Sequence, residues 1–293
     1  MADLAILKTY KLFIGGAFPR SESGKTFALR GKQNQLLANV PDASRKDVKA
    51  AVVAARNAQA AWADKTAYNR AQILYRIAEM LDARKLQFVE EMQLQGNTKL
   101  AAQKEVAKAI DRLVYYAGWC DKYTSVYSSV NPVASHTHNF SVPEPMGVVA
   151  IALADKSALL ALISAMAAAM CGGNTCVIVC SEKFPLSALS FAEVLATSDV
   201  PAGVVNILSG SLTELGKHLS EHYDVNAFVT SGSSKEISNQ FELACGSNLK
   251  RFRKWDVDWM KPNSEGPQFI MDLQEIKTVW HPLENTGAAG SKY

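Results

Sequence analysis

Residues 44 to 63, SRKDVKAAVVAARNAQAAWA, repeat apolar side chains at Val48, Ala51, Val52, Ala55 and Trp62, a spacing that gathers them onto one helical stripe. Ser44 and Asp47 stand three apart at its start, the spacing of a capping box, so the pattern predicts an amphipathic helix. The next run, RAQILYRIAEMLDARKLQFVEEMQLQG, carries Leu74, Ile77 and Leu81, then Phe88 and Met92, and Gly96 supplies a C-terminal stop. A third helix is predicted over residues 99–120, with Val106, Ile110, Leu113, Val114 and Ala117 as its stripe.

The pattern then changes. TSVYSSVNPVASHTHNFSVPEP alternates apolar and polar residues around an Asn-Pro pair, which predicts a hairpin that projects from the body and can pair with another subunit. His136 and His138 share a strand face there, but no third ligand accompanies them and no metal site is expected. From residue 147 the runs GVVAIAL, TCVIVC, GVVNILSG and VNAFVT alternate with helical stretches at 157–171, 185–197 and 212–221. That rhythm predicts an α/β fold with a Rossmann-like parallel sheet and helices on both faces, ligands meeting it at the carboxyl ends of the strands. Lys156, in the ADK that joins GVVAIAL to SALLAL, sits at such an end, and the closing ENTGAAGSKY reads as a loose tail.

Composition narrows the class without naming a reaction. At 293 residues and 48% hydrophobic, the chain can bury one large core or two modest ones. Its 31 basic and 28 acidic residues are interspersed, for a net charge of +3, and no basic stripe marks a nucleic-acid partner. The N-terminus has no secretory pattern, and the apolar run SALLALISAMAAAMCGG is shorter than a membrane span, so a cytoplasmic protein without membrane association is expected. Of five cysteines, Cys171, Cys176 and Cys180 crowd one strand and its approach; without a Cys-x-x-Cys pair they are read as buried free thiols.

Several blocks in order, KLFIGGAF, SGKTF, RAQILYRIAEML, YYAGWCDKY, EPMGVVAI, CGGNTCVIVCSE, VPAGVVNILSG and TSGSS, together resemble the aldehyde dehydrogenase superfamily over residues 11 to 251. The resemblance implies a dinucleotide-binding domain: an N-terminal helical part at 1–123, an oligomerisation hairpin at 124–143, a βαβ part at 144–273 and a tail at 274–293. It also implies a catalytic domain bearing a nucleophilic cysteine, for which no block is present.

The carried-over positions are mostly degraded. Lys156 falls where the family has an oxyanion-holding Asn, and Val179 replaces a ribose-binding Lys while Ser181 and Glu182 remain. At the pyrophosphate helix Gly232 and Ser233 persist, but Ile237 stands at a later glycine. Trp255 occupies the general-base Glu position. These matches imply Ser181, Glu182, Gly232 and Ser233 as cofactor contacts, no catalytic residue, and NAD binding that is weak or lost.

The chain further resembles the second, cysteine-less domain of family-16 aldehyde dehydrogenases. That implies an inactive pseudoenzyme with a structural or regulatory role, forming a homo-oligomer or joining a catalytic aldehyde dehydrogenase subunit. Two alternatives are kept: an NAD(P)-dependent aldehyde oxidoreductase with residual activity, and a nucleotide-binding module in which Lys156 meets a phosphate.

Overall fold

A computed structural model describes residues 7–153 and 157–283. The chain opens with an antiparallel ribbon, β1 (Thr26–Arg30) and β2 (Leu36–Pro41), which the helical reading of residues 1–123 did not anticipate. Helix α1 (Arg45–Ala63) starts on a capping box: Ser44 Oγ accepts from the Asp47 amide, and the Asp47 carboxylate accepts from the Ser44 amide at 2.7 Å. Asp47 also takes the Ser21 hydroxyl and the Glu22 amide, so the cap pins the incoming chain to the helix.

The single helical run expected after it is two helices, α2 (Ala67–Ala83) and α3 (Lys85–Leu94). The break is at Arg84, whose backbone leaves helical geometry (φ −107°, ψ 8°) while its guanidinium binds Gln87 and Glu193. Helix α4 (Lys99–Trp119) follows with a stripe rotated from the expected one. Val114 is 43% exposed, whereas Arg112 and Tyr116 are buried, because a network of polar partners draws Arg112 inward. A short helix, α5 (Tyr123–Tyr127), leads to β3 (Ser129–Asn131) and β4 (Thr137–Pro145), which pair antiparallel as a hairpin.

The α/β half runs β5 (Val148–Leu153), α6 (Ala158–Cys171), β6 (Thr175–Val179), α7 (Pro185–Ala196), β7 (Val205–Leu208), α8 (Leu212–Glu221), β8 (Ala227–Ser231), α9 (Lys235–Gly246) and β9 (Arg251–Lys254). Its strands form a parallel sheet in the order β7-β6-β5-β8-β9, as the alternating runs predict. Side chains alternate between two cores. Val149, Ile151, Cys176, Ile178 and Val229 face the layer of α2, α4, α6 and α7, while Val148, Ala150, Val177, Val179 and Phe228 face α1, α8 and α9. Gly203 (φ +86°) lets the turn before β7 press on α1, where a Cβ would run into the Ala54 carbonyl.

After β9 the chain crosses back through α10 (Gln268–Met271) to β10 (Gln274–Pro282). Residues 274–282, expected as tail, are therefore a nine-residue strand paired with β4 along its whole length, giving a second sheet in the order β10-β4-β3. Its Ile-Val-Trp content supports that pairing although most of the strand is exposed. No helix among the described residues is long and apolar enough to cross a membrane.

Candidate functional site

The strand order reverses between β5 and β8, so the crevice beyond Leu153 and Ser231, which are register partners, is the topological switch point where such sheets take ligands. Lys156 lies outside the described residues; the other predicted positions ring this end of the sheet.

Val179 ends β6, is buried, and packs among Val177, Ala152 and Leu208. Ser181, just beyond it, is buried, and its Oγ accepts from the Phe184 amide at 3.0 Å where the chain turns into α7. Exposed Glu182 accepts from the Leu212 amide at the first turn of α8, a carboxylate at a helix N-terminus. Gly232 turns the chain after β8 at φ +74°. Ser233 Oγ is 2.7 Å from Thr230 Oγ1, and Ser234 Oγ caps α9 by accepting from the Ile237 amide at 3.3 Å. Each of these polar groups thus already serves the chain's own backbone or a neighbouring hydroxyl.

Trp255 extends the sheet beyond β9, its amide donating to the Thr230 carbonyl at 2.8 Å. Its indole is 4% exposed and donates to the Asp272 carboxylate at 2.8 Å. Trp259 and Phe269 pack edge-on against it, and Trp259 Nε1 reaches Ser231 Oγ at the switch point itself, at 3.1 Å. Residues of the 255–273 segment therefore cover the carboxyl ends of β8 and β9.

Two buried charges here escaped the sequence reading. Glu105 of α4 accepts from the amides of Leu159 and Leu160, capping α6 from outside, and burial raises its carboxyl above the ordinary range. Arg112, 1% exposed, donates to Ser164 Oγ, the Ser264 carbonyl and hydroxyl, the Trp259 carbonyl and Glu265. Their only signal in the sequence is a charged residue on the inner side of an otherwise apolar helix stripe.

All five cysteines are buried and free. Burial pushes Cys180 up to about 12 and Cys245 up to about 11, and raises Cys176 and Cys171 as well. A nucleophilic thiol needs the opposite surroundings, an exposed site that favours thiolate. Among the described residues no cluster of His, Cys, Asp and Glu is placed to hold a metal. A cavity of about 830 Å³ lies between α2 and α4, lined in part by Tyr75, Arg76, Val114 and Asp199; none of the predicted site residues lines it.

Comparison with known proteins agrees with this architecture. A family model described as aldehyde dehydrogenase family matches residues 20–253. Cytosolic 10-formyltetrahydrofolate dehydrogenase of Mus musculus is 33% identical over 255 residues, 85% of this chain but 28% of that protein. An aldehyde dehydrogenase of Aspergillus niger is 34% identical over 244 residues, 82% of this chain and 48% of that protein. The NAD+ complex of an aldehyde dehydrogenase from Bacillus cereus superposes with a TM-score of 0.80 at 28% identity, covering 84% of this chain and 50% of that one. The chain spans half or less of the length of these relatives, and over most of its own residues it belongs to the aldehyde dehydrogenase family.

Proposed function

We propose that this chain is a cytoplasmic, catalytically inactive aldehyde dehydrogenase homologue with a structural or regulatory role, associating with itself or with a catalytic aldehyde dehydrogenase subunit. The observation that carries the reading is the state of its thiols: each of the five is buried, and burial holds at least four of them protonated. Oxidation of an aldehyde through a thiohemiacetal needs a reachable thiolate and a proton acceptor. The position that the resemblance gives to the acceptor holds Trp255, whose indole N–H is a donor already bound to Asp272. Five free thiols suit a reducing compartment.

The residues present do not fit a firmly held NAD. Ser181, Ser233 and Ser234 are engaged within the chain, Ile237 brings a branched side chain to the first turn of α9, and Trp259 occupies the switch point. A second reading, a module that binds a nucleotide without turnover, is favoured by one observation: Glu182 and Gly232 are exposed at the carboxyl end of the sheet.

The test combines three assays on the purified chain. No NADH or NADPH should form from short aliphatic and aromatic aldehydes; a signal abolished by a thiol reagent would overturn inactivity. Saturating NAD should leave the unfolding midpoint in place; a rise of about 4–5 °C, matching roughly 2.7 kcal/mol at about 100 times the dissociation constant, would select the nucleotide-binding reading. Self-association, or co-elution with a catalytic aldehyde dehydrogenase from the same cell, is expected, and failure of both would remove the structural role.

A further inference from the structure

We propose that Cys120 and Cys171 form an oxidation site: hydrogen peroxide, reaching them from the cavity between α2 and α4, closes the two thiols into an intrachain disulfide that staples the end of α4 to the end of α6. The inference goes beyond the reading above and does not depend on it, since it concerns neither an aldehyde nor the carboxyl end of the sheet. Cys120 caps the C-terminus of α4 and Cys171 is the last residue of α6. The two helices pack on one another, and both cysteines belong to the same core.

The thiols are in contact. Cys171 donates its hydrogen to Cys120 Sγ, and Cys120 donates onward to the Tyr116 carbonyl at 3.5 Å. Both helix ends are held in place around them: Arg70 Nε donates to the Cys171 carbonyl at 3.2 Å, and the Gln274 side chain reaches the next carbonyl, that of Gly172, at 3.1 Å. From hydrogen-bonding separation, two sulfurs need to close by only about 2 Å to reach disulfide length. Burial and its donated hydrogen bond keep Cys171 protonated, while the nearby Arg70 guanidinium works the other way. Cys176, Cys180 and Cys245 show no such thiol partner.

The route in is the last turn of α4. The cavity of about 830 Å³ is lined there by Ala117 and Gly118, and a Cβ on Gly118 would meet nothing within 4 Å, so this turn is thinly covered. The Cys120 amide closes it with a bond of 3.4 Å to the Ala117 carbonyl, longer than usual, and exposed Asp121 and Lys122 follow. A small opening of the turn brings Cys120 to the cavity. Its thiolate attacks one peroxide oxygen, forming an S–O bond as the O–O bond breaks, and one water leaves; Cys171 then attacks the sulfenic sulfur, and a second water carries off that oxygen. The two thiols give up two electrons and two protons, and one peroxide becomes two waters. A dithiol reductant reverses the change by thiol–disulfide exchange. The closed form ties the chain entering the β3–β4 hairpin to the turn between α6 and β6.

The test treats the reduced native chain, freed of reductant, with excess hydrogen peroxide and maps its peptides by mass spectrometry. The expected product holds a crosslinked peptide joining Cys120 to Cys171, lighter by two hydrogens than its two parts, and shows three thiols in denaturant instead of five. Its unfolding midpoint should rise by about 3–6 °C, and dithiothreitol should reverse both changes. Cys120→Ala and Cys171→Ala should each lose the crosslink and the rise, while Cys180→Ala keeps them; the wild-type map decides by itself if a variant fails to fold. A treated chain that keeps all five thiols, a crosslink to any other cysteine or between two chains, or sulfinic acid at Cys120 without a crosslink overturns the proposal. So does a Cys120–Cys171 crosslink that leaves the midpoint level or lower, since the two helix ends would then be strained together and not poised to join.

Discussion

Replacing Arg112 with Met tests the idea that one buried guanidinium holds residues 259–265 against α4 and α6. The cost can be worked bond by bond. Ser164 Oγ keeps its donation to the Leu160 carbonyl at 2.7 Å, and Ser264 Oγ keeps the carbonyls of Trp259 and Lys261, at 2.8 and 2.6 Å. Glu265, whose side chain is 36% exposed, turns to water and loses little. The Ser264 carbonyl is left without its guanidinium donor, at about 1–3 kcal/mol, and the loss of the other charge-assisted bonds is partly offset by no longer burying a cation.

The net expectation is a loss of about 2–3 kcal/mol. For 293 residues the unfolding entropy is roughly 0.6 kcal/mol/K, so the midpoint should fall by about 3–5 °C. Equilibrium denaturation measures the energy, and loosening of the segment should add quenchable emission above that of the exposed Trp280, because Trp255 and Trp259 are 4% and 3% exposed in the native chain. Glu265→Gln, which keeps the guanidinium, should cost under about 1 kcal/mol. Equal losses in the two variants would refute the reasoning, since the exposed ion pair and not the buried network would then carry the effect.

Ellman's reagent should find no reactive cysteine in the native chain and five in denaturant; a fast native thiol would contradict the burial of all five. Glu105 has a carboxyl raised by burial, so its contribution favours the fold below 4.5 and is lost as pH rises through the raised value. Relative to Glu105→Gln, wild type should therefore gain stability as pH is lowered from 7 toward that range, and a difference that stays flat with pH would exclude this origin. Gly216→Ala drives a methyl into the Phe241 ring and should cost about 1–3 kcal/mol, with much of it recovered by adding Phe241→Leu; strictly additive losses would show that the two do not meet.

The parts of this molecule that were legible in its sequence are those governed by local periodicity. Ser44 and Asp47 announce α1 because a capping box is a contact within one turn, and the β-branched runs of β5 to β8 announce a parallel sheet because both of their faces are buried. The break at Arg84 was hidden, since neither Gly nor Pro marks it and its partner Glu193 is distant in the chain. Val114 was placed inward for the same reason that Arg112 was missed: hydrophobic pattern alone assigns a charge to solvent, while the partners that bury this one come from two later segments, α6 and residues 259–265. At the carboxyl end of the sheet the sequence located Glu182 and Trp255 but not what they touch, because Leu212 reaches the first, and Thr230 and Asp272 the second, only through the completed fold.

The pairing of β4 with β10 also sets an order of events during synthesis. While the chain leaves the ribosome, β4 emerges early and has only the three-residue β3 beside it, too little for an independent hairpin. The Leu273 carbonyl, which takes the Asn174 side chain at 3.0 Å, and the Gln274 side chain, which reaches the Gly172 carbonyl at 3.1 Å, arrive equally late. Until residues 273–282 clear the exit tunnel, the turn after α6 and one edge of β4 stay open, an unpaired strand edge of the kind that leaves a nascent chain prone to wrong pairings.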